Sequence, residues 1–141
     1  MTAQDIKNQL SDEVKNFYSE SLYLYIAGLC NSDFPTVKKE YFNDSSIRLF
    51  TPNLLPDIYP INKIKLGDVV NFTECDSVGK LINIKDGVYE IDHGFCSETC
   101  LDSTKIDFVL SKEEDEKLRN LLSDMSEVAS IEKIGHYKML N

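Results

Sequence analysis

The chain has 141 residues, with 15 Lys+Arg against 24 Asp+Glu and a formal charge of −9. A make-up of 42% hydrophobic and 28% charged residues belongs to a folded globular protein, long enough to bury a core without covalent staples. The acidity argues against a general binder of nucleic acid or anionic membrane, since both need clustered cations.

Residues 4–30 predict a helix, because Ile6, Leu10, Val14, Phe17, Leu22, Ile26 and Leu29 recur near one helical face. Gly28 and Asn31-Ser32 supply its stop. A short helix is expected next, capped by Ser32 or Asp33, with Pro35 in its first turn and Phe34, Val37, Tyr41 and Phe42 inward. Ile47-Arg48-Leu49-Phe50-Thr51 alternates like a strand. Pro52, Pro56 and Pro60 then impose an extended, apolar arm.

Residues 63–110 predict a β-meander. Val69 to Thr73 is one strand, and Val78 to Lys85 and Val88 to Asp92 form a hairpin about Asp86-Gly87, the strongest short hairpin signal. A two-residue turn sets Lys85 opposite Val88, hence Ile84 opposite Tyr89, Ile82 opposite Ile91 and Val78 opposite Phe95 on an apolar face. Asn83 opposite Glu90 and Leu81 opposite Asp92 fall on the other face. Lys105 to Leu110 is a last strand of this region. Ser111-Lys112-Glu113-Glu114 is a capping box opening an amphipathic helix over 112–128, with Leu118, Leu121, Leu122, Met125 and Val128 on its stripe. Weak alternation over 130–140 predicts a short closing strand.

The sum is α+β in one domain, residues 1–141: a helical part with its arm (1–62), the meander (63–110) and a helix plus strand (111–141). From Leu66-Gly67-Asp68-Val69-Val70 through Val78-Gly79-Lys80-Leu81 and Asp86-Gly87-Val88-Tyr89-Glu90-Ile91 to Lys105-Ile106, the chain resembles a small SH3-like barrel of the KOW or Tudor kind. That resemblance implies a peptide- or nucleic-acid-binding module. The carboxylates at the strand ends do not suit the nucleic-acid role. Tyr25 to Phe34 through Arg48-Leu49-Phe50-Thr51-Pro52 is similar to the opening of an NTF2-like cone fold, which implies a small-molecule-binding protein or enzyme with a cone interior near Phe50, Tyr89 and Ile91.

Cys75, His93, Cys96 and Cys100 are the candidate metal ligands: His-x2-Cys-x3-Cys near a strand end, with Cys75 completing a tetrahedral zinc set. The competing reading is small apolar fillers and a surface His. Cys96 or Cys100 with His93 and Asp92 could be drawn as a thiol nucleophile with its base, but Asp92 and His93 are neighbours pointing to opposite faces of a strand. No phosphate loop, nucleophile elbow, zinc-protease or dinucleotide fingerprint is present. No cofactor is therefore called for beyond that zinc.

What remains is an acidic surface. Residues 61–110 hold 5 basic against 9 acidic groups, the most acidic portion of the chain. Asp68, Glu74, Asp76, Glu90, Asp92 and Glu98 are the expected contact residues for a basic protein partner, as in an immunity protein or phage-type inhibitor. The polar first residues and the lack of a long apolar run lead to the expectation of a cytoplasmic, non-enzymatic protein that touches no membrane.

Overall fold

The computed structural model describes residues 1–50, 64–74, 77–94 and 96–140, except the side chains of Phe50 and 129–140. The extended arm at 52–62, Cys75, Asp76 and the Val78–Phe95 pairing lie outside those residues, wholly or through Phe95.

Three helices replace the single one expected over 4–30: α1 (Ala3–Lys7), α2 (Asp12–Phe17) and α3 (Glu20–Ser32). The apolar stripe is continuous, but N-cap chemistry interrupts it. Thr2 and Asp5 form a capping box on α1, and the Ser11 hydroxyl accepts from Val14 N on α2. Tyr18 is extended, with φ −92° and ψ 151°, so the chain turns before α3 begins. The stripe survives these breaks, since Ile6, Val14, Leu22, Tyr23 and Ile26 are all fully buried. The buried Tyr23 hydroxyl donates to Val14 O at 3.1 Å and ties α3 to the end of α2.

The expected second helix is only a 3-10 turn at Lys39–Tyr41. The expected strand at 47–51 is a helix, α4 (Asp44–Phe50). Asn43 caps it: its side-chain oxygen accepts from Ser46 N at 3.1 Å, and its carbonyl accepts from Ile47 N at 3.0 Å. Burial shows the period. Ile47 is fully buried while Leu49 is 64% exposed, whereas a strand would put both on one face. The opening expected of an NTF2-like cone is therefore not formed.

A five-stranded antiparallel sheet follows: β1 (Val69–Phe72), β2 (Ser77–Lys85), β3 (Val88–Asp92), β4 (Ser97–Cys100) and β5 (Ile106–Leu110), in the order β4-β3-β2-β1-β5. It is not closed into a barrel. It is, however, curled. Laid flat, β4 and β5 would stand about 19 Å apart and point the same way. Only Leu101–Lys105, including a 3-10 turn, joins them. Consistent with that, Cys100 of β4 and Ile106 of β5 share one apolar cluster with Val70, Leu81 and Ile91 inside the curl. On the outer face Val69, Val109 and Leu110 join the helices in the main core.

The hairpin forms as expected, with Asp86 at φ 52° and Gly87 at φ 76° and the pairs Lys85↔Val88 and Ile84↔Tyr89. Beyond Asn83↔Glu90 the register shifts at Ile82. This bulge corrects the predicted pairing. Leu81, not Ile82, faces Ile91, and Lys80, not Leu81, faces Asp92. Leu81 is fully buried, while Ile82 is 45% exposed.

The capping box at Ser111 and Glu114 forms, with both bonds at 3.1 Å. Helix α5 (Lys112–Leu140) runs to the end of the described chain, so there is no closing strand. No proline interrupts 129–140, and Gly135 is the only weak helix former of the kind that could have stopped it.

Candidate functional site

Where α3 and α5 leave the sheet, a half-open cleft of about 810 Å³ remains. Its floor is β2 and the end of β3, with Val78, Gly79, Lys80, Asp92 and His93. Its walls are α3, with Leu24, Tyr25, Gly28 and Leu29, and α5, with Arg119. Asp33 stands just past the end of α3. The bulge at Ile82 matters here, because it sets Lys80 opposite Asp92 at the cleft floor.

Two glycines shape the cleft. A Cβ at Gly79 would lie 2.4 Å from the Asp92 carbonyl, so only glycine permits β2 to approach β3 this closely. Gly28 is the reverse. It sits inside α3, where glycine weakens a helix, and a Cβ there would meet nothing within 4 Å.

Beneath the cleft lies a buried polar knot centred on Asp115, which is 1% exposed. The Tyr25 phenol donates a short hydrogen bond to it. Arg119 Nε donates to its second oxygen at 3.1 Å, and Lys80 Nζ is 3.2 Å away. Arg119 also donates to the Tyr25 oxygen at 3.1 Å and stands 3.6 Å from Asp33. Burial, and then the hydrogen bond and charge of Asp115, push the Tyr25 phenol well above the usual tyrosine value. The knot joins α3, β2 and α5, and none of its members stands out as a site in the sequence. The Asp115/Arg119 spacing of four on one helix is its one legible trace.

The predicted contact residues separate. Asp68 is only 3% exposed, and its oxygens accept from Lys65 N at 2.8 Å and Lys112 N at 3.0 Å. It clamps the turn before β1 onto the start of α5, so it is a structural group and not part of a contact surface. Glu74 is exposed and ion-paired with Lys105. Asp76 lies outside the described residues. Glu90 and Asp92 share one face of β3, whereas Glu98 of β4 stands opposite Ile91 and so lies on the other face, with its carboxylate 3.6 Å from His93 Nε2. From Asp86 to Thr104 the chain carries Asp86, Glu90, Asp92, Glu98 and Asp102 with no Lys or Arg.

Among the described residues the candidate zinc ligands do not converge. Cys96 and Cys100 are separated by the length of β4, about 13 Å along a strand, far beyond a shared zinc with bonds near 2.3 Å. The Cys100 thiol donates to Asp102 O at 3.1 Å. His93 Nδ1 meets the Val78 carbonyl at 3.1 Å, which requires the proton on Nδ1. Its Nε2 is buried without a hydrogen bond, 3.6 Å from Glu98. Among the described residues no three His, Cys, Asp or Glu side chains are grouped to hold a metal, and Cys75 lies outside them. Nor do these contacts direct a thiol at the imidazole. Cys30 is buried in the helical core, and that burial pushes its thiol up to about 11.

No helix among the described residues is long and apolar enough to cross a membrane. No family model, no curated protein and no solved structure matches the chain.

Proposed function

We propose that this is a non-enzymatic binding protein that engages a basic protein partner through the β3–β4 side of its sheet, in the manner of an immunity protein or a phage-type inhibitor. The observation that carries the reading is the run from Asp86 to Thr104, five carboxylates without a Lys or Arg, three of which, Glu90, Asp92 and Glu98, lie on the adjacent strands β3 and β4. Such a surface raises the encounter rate with a cationic partner and penalises acidic ones. The overall charge of −9 acts in the same direction.

The test is capture from the native host's extract by the tagged chain and by a Glu90→Lys/Asp92→Lys variant, each at low and high salt. The reading expects a basic protein that is retained at low salt, released at high salt and lost by the variant. Retention that is indifferent to salt and to charge reversal contradicts it.

A further inference from the structure

Resting on that reading, we infer that the partner presents an extended segment with Lys or Arg at alternate positions, and that this segment pairs antiparallel with the open edge of β4 as one more strand of the sheet. The backbone carries this first. β4 is an outermost strand, with β3 on one side and, among the described residues, no strand on the other. Hydrogen-bonded and unbonded pairs alternate along an antiparallel ladder. His93 N donates to Cys96 O at 2.9 Å, so Ile91↔Glu98 is a bonded pair, while Asp92↔Ser97 and Glu90↔Thr99 are not. The neighbouring hairpin agrees. Its turn closes at Lys85↔Val88, which directs the Glu90 amide and carbonyl toward Asn83 and away from Thr99. The N–H and C=O of Ser97 and of Thr99 therefore point out of the sheet, and among the described residues they meet no hydrogen-bond partner. Both residues are exposed.

Charge selects the segment. Residues of an added strand that stand opposite Ser97 and Thr99 share their face of the sheet, which is also the face of Glu90 and Asp92. Among the described residues Glu90 has no ion pair: the Lys80 ammonium is held by Asp115, and Lys85 at the turn makes none with it. A lysine opposite Thr99 starts two strand spacings from Glu90, about 10 Å between backbones, and the two long side chains close that gap over the short threonine. Leu101, 79% exposed and directly after β4, offers apolar contact to the stem of such a side chain. A second copy of this chain is the wrong occupant. Pairing two β4 edges would set like carboxylates beside one another on chains that each carry −9.

The test is a nuclear magnetic resonance titration of the full chain with a short peptide of alternating lysine and threonine. A glutamate–threonine peptide is the charge control. Two further lysine peptides are methylated on backbone nitrogens, one at the lysines and one at the threonines. The amides of Ser97 and Thr99 are the reporters, by shift and by hydrogen exchange. The lysine peptide is expected to shift both and slow their exchange, and the glutamate peptide to leave them unchanged. Lysines opposite Ser97 and Thr99 use their own N–H groups in the ladder, so methylation there should weaken binding at least tenfold. Methylation at the threonines, whose N–H groups face away, should weaken it less than threefold. Glu90→Gln should weaken it at least threefold. Two results overturn the strand pairing while the acidic-surface reading stands: equal loss from the two methylated peptides, or greater loss from methylation at the threonines. An equal response to the glutamate peptide overturns the choice of a basic segment. Absence of any response to the lysine peptide also overturns the pairing, while salt-dependent capture of a basic protein tests the surface separately.

Discussion

Asp115→Asn is the substitution that weighs most heavily on this architecture. The carboxylate is 1% exposed and receives the Tyr25 phenol, Arg119 Nε at 3.1 Å and Lys80 Nζ at 3.2 Å. An asparagine keeps one oxygen and turns an NH2 toward donors, so either the Tyr25 phenol loses its acceptor or both cations do, and the carboxylate's charge is gone in either case. A hydrogen bond to a charged group is worth about 1.5–3 kcal/mol net. Lys80 and Arg119 keep 40% and 33% of their side chains exposed, so water recovers part of what is lost. The expected cost is about 2 kcal/mol, or a fall in Tm of roughly 6 °C for a domain of this size. Tyr25→Phe alone should cost about 1 kcal/mol, and the double variant less than the sum, because both remove the same bond. Urea unfolding followed by circular dichroism measures all three. An Asp115→Asn variant within about 0.5 kcal/mol of the parent would refute the view that this knot fixes α5 against α3 and β2.

Other consequences follow from single contacts. Burial pushes the Tyr23 phenol up to about 12, and burial with Asp115 pushes Tyr25 higher still. Both stabilise the fold fully below the unfolded tyrosine value near 10, and that contribution is lost as pH rises toward and past 12. Absorbance titration should therefore show at least two of the seven tyrosines ionising late, together with alkaline unfolding; seven ordinary titrations would contradict the buried contacts. Leu81→Ala should cost about 3 kcal/mol and Ile82→Ala under about 1 kcal/mol, a contrast that an unbulged hairpin would reverse. Metal analysis of protein purified without chelator should find zinc well below one per chain. A stoichiometric value would require Cys75, His93 and Cys96 to assemble a site that Cys100 does not join.

The elements legible in the sequence are those whose local chemistry and long-range packing agree. Asp86-Gly87 between two alternating runs, and the Ser111/Glu114 box, fold as their residues dictate. Sequence and structure part where a local signal competes with a pattern. Ser11 and Asn43 cap helices inside stretches whose apolar spacing alone reads as one long helix or as a strand. Strand β4 leaves little trace because Ser97-Glu98-Thr99-Cys100 has little apolar content, and its place is set by pairing with β3. The candidate site is the least legible part. Tyr25, Lys80, Asp115 and Arg119 are spread over α3, β2 and α5, and a one-residue bulge decides where Lys80 points. Asp68 misleads for the opposite reason: an acidic turn residue suggests surface, yet both its oxygens are spent on backbone amides.

The most direct measurement is the affinity of the captured partner for this chain across a salt series, with the parent and the Glu90→Lys/Asp92→Lys variant side by side. The account predicts steep weakening of the parent complex with salt and at least a tenfold loss, about 1.4 kcal/mol, for the variant at low salt. An affinity flat in salt and unchanged by the charge reversal would contradict it.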